Sequence, residues 1–308
     1  MSNKGIAAIG ECMLELSGIG GSNWRMGYAG DTLNTLWALK ALAGPGRTAN
    51  YISAFGDDPF SHDQITFFKE NGIGIGASPV IAGARPGLYA ITLAGAERSF
   101  TYWRGDSAAR LLASDPAALA KSLENQSLVY FSGITLAILD PAARRVLMDA
   151  VSAARKGGAM IAFDANYRPR LWKSVDEARS AVSEALALTD IALPTFPDEE
   201  MLFGDATSQA TAERIALAGV AEVVVKNGEH AALLCCDTKQ SSIPAESVAA
   251  PVDTTGAGDS FNGGYLAARL TGQLPCDAVR SAHRVAAAVV QVRGALASHD
   301  VLRAAFRN

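Results

Sequence analysis

The feature that most constrains the fold is the alternation of continuous apolar segments with amphipathic helical patterns. Six apolar runs of six to eight residues recur along the chain, at 5–10, 128–134, 159–166, 190–195, 222–228 and 231–236. Helical patterns lie at 31–43, 141–158, 175–189 and 211–219. Apolar strands separated by helices are typical of a mostly parallel sheet covered on both faces. The sequence therefore predicts an α/β protein.

Two segments depart from this alternation. Residues 11–30 and 85–105 have strand character, and the second alternates like a hairpin around the segment AGAE at 94–97. We expect them to form a small auxiliary sheet that serves as a lid. No repeat or long linker divides the chain, and its 49% hydrophobic content supplies an ample core. Residues 1–308 are interpreted as one domain with an inserted flap.

The charge distribution argues against a nucleic-acid or membrane-surface role. The 27 basic and 31 acidic residues are well mixed, and no block of Lys and Arg occurs. The apolar run at 6–10 is followed at once by Glu11, so it is too short for a signal sequence or a membrane span. A cytoplasmic protein that acts on small molecules is expected.

The cysteines do not have the spacing of zinc ligands. Neighbouring residues on a strand point to opposite faces, so the adjacent pair Cys235 and Cys236 would not act together. We interpret these two, with Cys12 and Cys276, as reduced thiols rather than as a metal or redox site.

The segment DTTGAGDSFNGG at 253–264 carries the main chemical signal. Its glycines allow backbone amides to approach a ligand, and a helix start leaves N–H groups unpaired, so the segment suits an anion. Asp259 would repel that anion unless it takes a proton from the group that attacks it. The alternative is an ordinary glycine-rich cap in which Asp259 is only a first-turn acid. Neither a Walker loop nor a dinucleotide fingerprint is present.

Two further segments place polar side chains where a ligand could bind. In GYAGDTLNTLWAL, Asp31 and Asn34 are three apart at a helix start, so both could face one polyol; the alternative is that Asp31 only caps the helix. In DANYRPR, Asp164, Asn166 and Arg168 alternate after a buried strand, and period two would put them on one side. Such positions suit the ligand crevice of an open α/β sheet.

The pairing of AGDTLNTLWAL with DTTGAGDSFNGGYLA resembles the PfkB, or ribokinase-like, family of sugar kinases over essentially the whole chain. Within that family, members that act on 2-keto-3-deoxygluconate are similar in the segments IGECMLELS, GDTLNT, RPGLY, YWR, SGITLAIL, DANYRPRLW and VVVKNG. The resemblance implies a three-layer α/β/α fold with a small β-sheet lid. It also implies an ATP-dependent kinase that phosphorylates the terminal hydroxyl of that sugar acid.

The resemblance assigns roles to the matching positions. Asp259 would be the general base, and Gly256, Ala257 and Gly258 would form the anion hole for the migrating phosphoryl group. The sugar acid would meet Gly30, Asp31, Asn34, Tyr89, Tyr102, Arg104 and Arg168. The guanidinium fork matches a carboxylate. The alternative is that Arg104 caps a hairpin and Arg168 pairs with a nearby acid.

ATP and Mg²⁺ are the implied cofactors. The nucleotide would contact Asn166, Lys226, Asn227, Gly228, Thr254, Gly256 and Gly258, and the adenine would lie near His283, Ala286 and Ala287. Lys226 could equally be a solvated strand-end lysine, and His283 an ordinary helix histidine. Where many relatives have N-x-x-E for Mg²⁺, this chain has Thr195 and Asp198, so Asp198 would act through water. A monovalent cation, K⁺, is implied beside Asp253 and Thr255.

Other functions stay open on the sequence. A kinase for fructose, ribose or a nucleoside is the nearest alternative, and a non-catalytic sugar-acid sensor on the same scaffold is another. A nicotinamide-dependent oxidoreductase is disfavoured, because no G-x-G-x-x-G follows the first strand. Apolar residues of the flap, Leu88, Ile91, Phe100 and Trp103, would need cover, so a homodimer or higher homo-oligomer is expected.

Overall fold

A nine-stranded sheet forms the centre of the protein. The structure is a computed structural model that describes residues 4–94, 97–237 and 239–307. The strand order is β15-β14-β13-β12-β11-β10-β1-β4-β6. The strands are β1 (Gly5–Ile9), β4 (Ala49–Ile52), β6 (Ile73–Gly74), β10 (Gln126–Ser132), β11 (Met160–Asp164), β12 (Ile191–Ala192), β13 (Glu222–Val225), β14 (Ala232–Cys236) and β15 (Lys239–Ile243). Neighbours pair in parallel except at β13–β14 and β14–β15.

Helices cover both faces of this sheet. They are α1 (Asp31–Leu42), α2 (Pro59–Glu70), α3 (Pro116–Leu123), α4 (Gly133–Ile138), α5 (Pro141–Lys156), α6 (Val175–Leu186), α7 (Phe196–Phe203), α8 (Ser208–Leu217), α9 (Ala257–Leu270), α10 (Pro275–Val289) and α11 (His299–Arg307). Along β1, Ala7 and Ile9 join the core under α3 to α8, whereas Ile6 and Ala8 join the core under α1, α2 and α9 to α11. This alternation gives three layers, so the predicted α/β/α class is confirmed.

A separate four-stranded sheet, here called the small sheet, lies outside the alternation, as expected. Its order is β3-β2-β8-β9, with strands β2 (Met13–Gly20), β3 (Asn23–Ala29), β8 (Leu88–Ala94) and β9 (Glu97–Trp103). The β8–β9 pair is the predicted hairpin, although Gly95 and Ala96 of its AGAE segment lie outside the described residues. A third, two-stranded sheet pairs β5 (Phe55–Gly56) with β7 (Val80–Ile81).

Helix starts fall into two groups. Asp58, Asp115 and Asp140 cap α2, α3 and α5, and each side chain accepts hydrogen bonds from first-turn amides. The N-caps of α1 and α9 are Gly30 and Gly256, and neither helix has a side-chain cap. The first-turn N–H groups of α1 and α9 are thus left for other partners.

The described residues contain no helix long and apolar enough to cross a membrane. The four cysteines are free thiols, as predicted, with Cys12 and Cys235 buried. Cys235 and Cys236 pack into different cores, which is the consequence of their adjacent positions on β14.

Candidate active site

Polar groups from distant parts of the chain meet at the carboxyl edge of the large sheet. Asp164 ends β11, and Lys226 follows β13 directly. The starts of α1 and α9 bring Asn34 and Asp259 together, with Asn34 Nδ2 donating to Asp259 Oδ2 at 2.8 Å. In an open α/β sheet this edge is where ligands bind.

The start of α9 has the form of an anion site. Gly256 has a left-handed φ of 73°, and a Cβ there would lie 2.7 Å from the Cβ of Ala295, so the position needs glycine. The N–H of Ala257 donates to the Thr254 carbonyl at 3.3 Å. The amides of Gly258 and Asp259 come next in the first turn, where no carbonyl one turn earlier can accept from them. Thr254 itself is exposed.

Asp259 has a carboxyl group suited to proton transfer. Burial, and next the negative charge of Asp31, raise its pKa to about 7, although Asn34 and Lys226 favour the ionised form. A base with a pKa near neutrality can accept a proton at working pH and still drive the transfer. The side chain therefore meets both requirements of a general base, a shifted pKa and a position beside an anion site.

Asp31 and Asn166 are in direct contact, with Asn166 Nδ2 donating to Asp31 Oδ2 at 3.0 Å. Burial raises the pKa of Asp31. The preceding Gly30 approaches the backbone of Glu11 so closely that a Cβ would lie 2.1 Å from the Glu11 carbonyl oxygen. The N–H of Thr32 and the hydroxyl of Ser132 donate to the Asp31 carboxylate and oppose the rise in its pKa, so Asp31 has partners both in the first turn of α1 and outside it.

The predicted period-two arrangement of Asp164, Asn166 and Arg168 is wrong. Strand β11 ends at Asp164, and Asn166 has a left-handed φ of 37°, which breaks the alternation. The three side chains still lie at the same edge, because the turn redirects them. Asp164 binds Lys226, Asn166 binds Asp31, and Arg168 reaches Asp198.

Lys226 is not a solvated strand-end lysine. It is 7% exposed, and its Nζ donates to Asp164 at 2.7 Å and to Asn262 at 2.9 Å. A Cβ on Gly258 would lie 3.8 Å from the same nitrogen, so the ammonium is beside the start of α9. The next two residues form a turn in which Asn227 is half-buried and Gly228 has a φ of 57°.

Asn262 is a site residue that the sequence did not identify. Its Nδ2 donates to Asp164 at 2.8 Å and to the hydroxyl of Tyr130 at 3.2 Å, which completes a buried network around Lys226. The sequence could have indicated Asn262 because it lies three residues after Asp259 in a predicted helix, which puts the two side chains on one face.

The predicted acceptor residues of the small sheet lie on one of its two faces. Tyr89 is buried, and its hydroxyl donates to Glu15; its ring centroid is 5.6 Å from that of Tyr102, which is half exposed. Just beyond β9, Arg104 forms a buried ion pair with Glu11. Arg104 therefore does not cap the hairpin, and Glu11 and Glu15 are partners that the sequence did not identify.

Arg168 pairs with a nearby acid, which was the alternative to a ligand role in the sequence analysis. Its Nη1 lies 3.0 Å from Asp198 Oδ2, and its side chain is 50% exposed, so other N–H groups of the guanidinium remain accessible. Burial raises the pKa of Asp198 while Arg168 opposes the shift. Thr195 is the N-cap of α7, with Asp198 in the first turn.

The donor set fits Mg²⁺ that arrives with a nucleotide. The described part of the chain has no cluster of three or more His, Cys, Asp and Glu side chains for a metal. Mg²⁺ in nucleotide sites keeps several waters and uses one or two carboxylates besides phosphates, so the prediction that Asp198 serves Mg²⁺ through water is compatible with this donor set and stays a prediction.

The K⁺ site and the adenine site stay predictions. Asp253 Oδ1 accepts from the N–H of Thr255 at 2.9 Å, and Oδ2 accepts from the N–H of Gly294 at 2.8 Å, so this carboxylate organises the loop before α9. His283 is buried and meets the ring of Phe261 edge-on. Ala286 and Ala287 follow it on α10 and are half-buried.

Comparison with known proteins identifies the family of this chain. Residues 3–301 match the family described as pfkB family carbohydrate kinase. A 2-dehydro-3-deoxygluconokinase of Dickeya dadantii is 41% identical over 306 residues, covering 96% of this chain and 97% of that protein. The enzyme of the same name from Escherichia coli K12 is 39% identical, covering 98% and 100%. Fructokinase-2 of Oryza sativa is 30% identical, covering 77% and 69%.

Solved structures agree on the fold. The 2-dehydro-3-deoxygluconokinase of Thermotoga maritima has a TM-score of 0.83 at 20% identity and covers 99% of this chain and 100% of its own. An E. coli structure in complex with ATP and Mg²⁺ has a TM-score of 0.84 at 24% identity and covers 99% of each chain.

Proposed function

This chain belongs to the pfkB family of carbohydrate kinases, and on that premise we propose that it transfers the γ-phosphoryl group of ATP to 2-keto-3-deoxygluconate. This compound is also called 2-dehydro-3-deoxygluconate, and the product is the 6-phosphate. Curated relatives of that name at 38–41% identity over nearly full length support the substrate. The observation that carries the chemistry is the contact between Asn34 and Asp259 at the uncapped start of α9.

Different residues would perform different parts of the phosphoryl transfer. Asp259 would take the proton from the terminal hydroxyl as its oxygen attacks the γ-phosphorus and ADP leaves. The first-turn amides of α9 and the ammonium of Lys226 would stabilise the charge on the migrating group. Positioning and charge stabilisation supply most of the catalysis in phosphoryl transfer. Mg²⁺ bound with ATP would neutralise phosphate charge, and Asp198 would hold it through water.

The acceptor would be recognised by both faces of its cleft. Asp31 and Asn34 carry polar groups for sugar hydroxyls, while Arg104 and Arg168 supply N–H groups for the carboxylate. Each arginine already has an acidic partner, but a guanidinium has five N–H donors and can serve two carboxylates. The small sheet would close over the sugar acid and exclude water, the competing acceptor. Because ATP is the donor, we propose a cytoplasmic location.

We extend the proposal to a homodimer formed through the outer face of the small sheet. A cavity of about 710 Å³ there is lined by apolar side chains, including Leu14, Leu88 and Trp103. Trp24 and Trp103 are 45% and 57% exposed. Ile91 packs instead with Tyr89 on the opposite face, so only part of the predicted apolar set is available. Light scattering should give a dimer mass for the wild type and a monomer mass for Trp103→Glu.

The substrate proposal is tested by ATP consumption with a panel of acceptors. The panel contains 2-keto-3-deoxygluconate, its galactonate epimer, fructose, ribose and a nucleoside. We expect kcat/KM for the sugar acid to exceed that for each neutral acceptor by about 100-fold or more, because a neutral sugar offers no carboxylate to the N–H groups of Arg104 and Arg168. Faster turnover of fructose would favour the fructokinase alternative, and no acceptor-dependent turnover would favour a sensor.

A second experiment tests whether Arg168 binds the carboxylate of the sugar acid. Arg168→Met should raise KM for the sugar acid by about tenfold, because a hydrogen bond between charged groups is lost. The KM for a neutral acceptor should change little. An equal rise for both acceptors would contradict a role in binding the carboxylate.

A further inference from the structure

Glu11 forms a buried ion pair at the edge of the candidate site. It lies two residues after β1, and its side chain is 1% exposed, while that of Arg104 is 11% exposed. Glu11 Oε2 accepts from Arg104 Nη2. Both charges have lost most of their hydration, so each depends on the other for compensation.

Two glycines fit around this pair. A Cβ on Gly87 would lie 2.5 Å from Glu11 Oε1 and 3.2 Å from the Cβ of Arg104. Gly30 leaves space for the Glu11 carbonyl, as described above. The Gly87 carbonyl also accepts from the N–H of Leu14 at 2.8 Å. The ion pair therefore joins the end of β1, the start of α1 and the small sheet in one packed arrangement.

Each partner keeps one buried polar atom for which the described residues offer no hydrogen bond: Glu11 Oε1 and Arg104 Nε. A buried donor without a partner is costly, so such atoms in a folded protein point to a ligand or a functional role. The charge of Arg104 also acts on Asp31, where it opposes the rise in the pKa of that carboxyl. The guanidinium is thus close to the predicted sugar site.

We propose that Glu11 is a positioning residue, whose carboxylate holds the Arg104 guanidinium in the orientation that binds the carboxylate of the acceptor sugar acid. Glu11 engages one nitrogen of the planar fork, which fixes its plane and leaves other N–H groups for the ligand. The inference rests on the proposed function and specifies how that site recognises its acceptor. Arg104 would contact the substrate, and Glu11 would act through Arg104.

A double-mutant cycle tests this inference. The wild type, Glu11→Gln, Arg104→Gln and the double variant are compared by KM and kcat with the sugar acid and with ATP. Glu11→Gln should raise KM for the sugar acid by about tenfold, because the charge-assisted hydrogen bond to Arg104 is weakened when the carboxylate becomes a neutral amide. The KM for ATP should stay within about twofold. The double variant should be no worse than Arg104→Gln, because the effect of Glu11 passes through that arginine.

A matched control separates positioning from stability. Glu222 is also a buried glutamate paired with an arginine, Arg269, at 3.0 Å, but it lies at the amino edge of the sheet. Glu222→Gln should lower the melting temperature without raising KM for the sugar acid. If Glu11→Gln fails to fold, Glu11→Asp retains the charge and should raise the same KM by a smaller factor, with the KM for ATP unchanged.

The outcomes are distinguishable. Multiplicative losses in the double variant, or an equal rise in both KM values, would overturn the inference in an enzyme that still phosphorylates the sugar acid. A wild type that leaves the sugar acid unphosphorylated would overturn the proposed function, and this inference with it.

Discussion

Glu199 and Asp259 are acids of the same molecule with similarly raised pKa values and very different partners. Burial raises the pKa of each to about 7. Glu199 binds Arg214 at 2.6 Å, and Arg214 also binds Asp205 at 2.7 Å and stacks on the ring of Phe203. This arrangement ties α7 to α8 and leaves Glu199 neutralised by a permanent cation.

Asp259 is held differently. Its one hydrogen-bond partner among the described side chains is the neutral amide of Asn34, and its other close influences are the negative charges of Asp31 and Asp164 and the positive charge of Lys226. A shifted pKa therefore reports burial, whereas the partners distinguish a structural acid from a reactive one. Glu199 is tied to a cation between α7 and α8, whereas Asp259 lies at the start of α9 with a neutral amide as its hydrogen-bond partner among the described side chains.

The largest expected effect separates the two acids by activity. Asp259→Asn should lower kcat by about 10³-fold, because the variant keeps the shape but has no base. ATP affinity, measured by calorimetry, should be nearly unchanged. Glu199→Gln is the matched control and should retain most of kcat. The comparison would fail if the two variants lost activity equally.

The next largest effect concerns the free energy of unfolding, to which the ion pair of Glu199 should contribute. Arg214→Met should lower the free energy of unfolding by about 3–5 kcal/mol, because buried carboxylates lose their cation. Its kcat per folded molecule should stay near that of the wild type. Arg155→Met removes an exposed pair with Asp190, 39% and 32% exposed, and should cost less than about 1 kcal/mol. Urea denaturation of both variants checks the contrast; an Arg214→Met protein as stable as the wild type would contradict it.

A smaller effect concerns the contribution of Asp259 to the stability of the folded protein. Because the pKa of Asp259 is raised from 3.8 to about 7 in the folded protein, its contribution to stability is full below pH 4 and is lost as the pH rises through about 7. Asp259→Asn should therefore be more stable than the wild type at pH 8, by on the order of 1 kcal/mol. The difference should shrink at pH 5. A destabilised variant at pH 8 would indicate that the ionised carboxylate is well compensated.

The sequence predicted the elements better than their contacts. The apolar runs became β1 and β10 to β14, and the start of α9 has the expected glycines, because period and turn residues are local signals. The antiparallel edge strand β15 was missed, since its segment, Lys239–Ile243, is largely polar. The burial of Lys226 and its contact with Asn262 depend on which strand and helix ends meet, which a single sequence does not encode locally.

Long-range ion pairs were the least predictable part of the site. Arg104 and Glu11 are 93 residues apart, and only the strand order of the small sheet brings them together. Arg168 and Asp198 were each given a ligand role, and the structure joins them to each other. Asp259 could be proposed as the base from the sequence because a glycine-rich helix start constrains its immediate neighbours, and that role stays a prediction.

The central claim, that Asp259 is a base set near neutrality by burial and by Asp31, is tested most directly by the pH dependence of kcat/KM. The wild-type rate should rise with pH to a plateau with an apparent pKa of about 7. Asp31→Asn should lower that pKa, since it removes a neighbouring negative charge, and Glu199→Gln should leave it in place. A flat profile through neutrality, or an inflection that moves with Glu199→Gln and not with Asp31→Asn, would contradict the account.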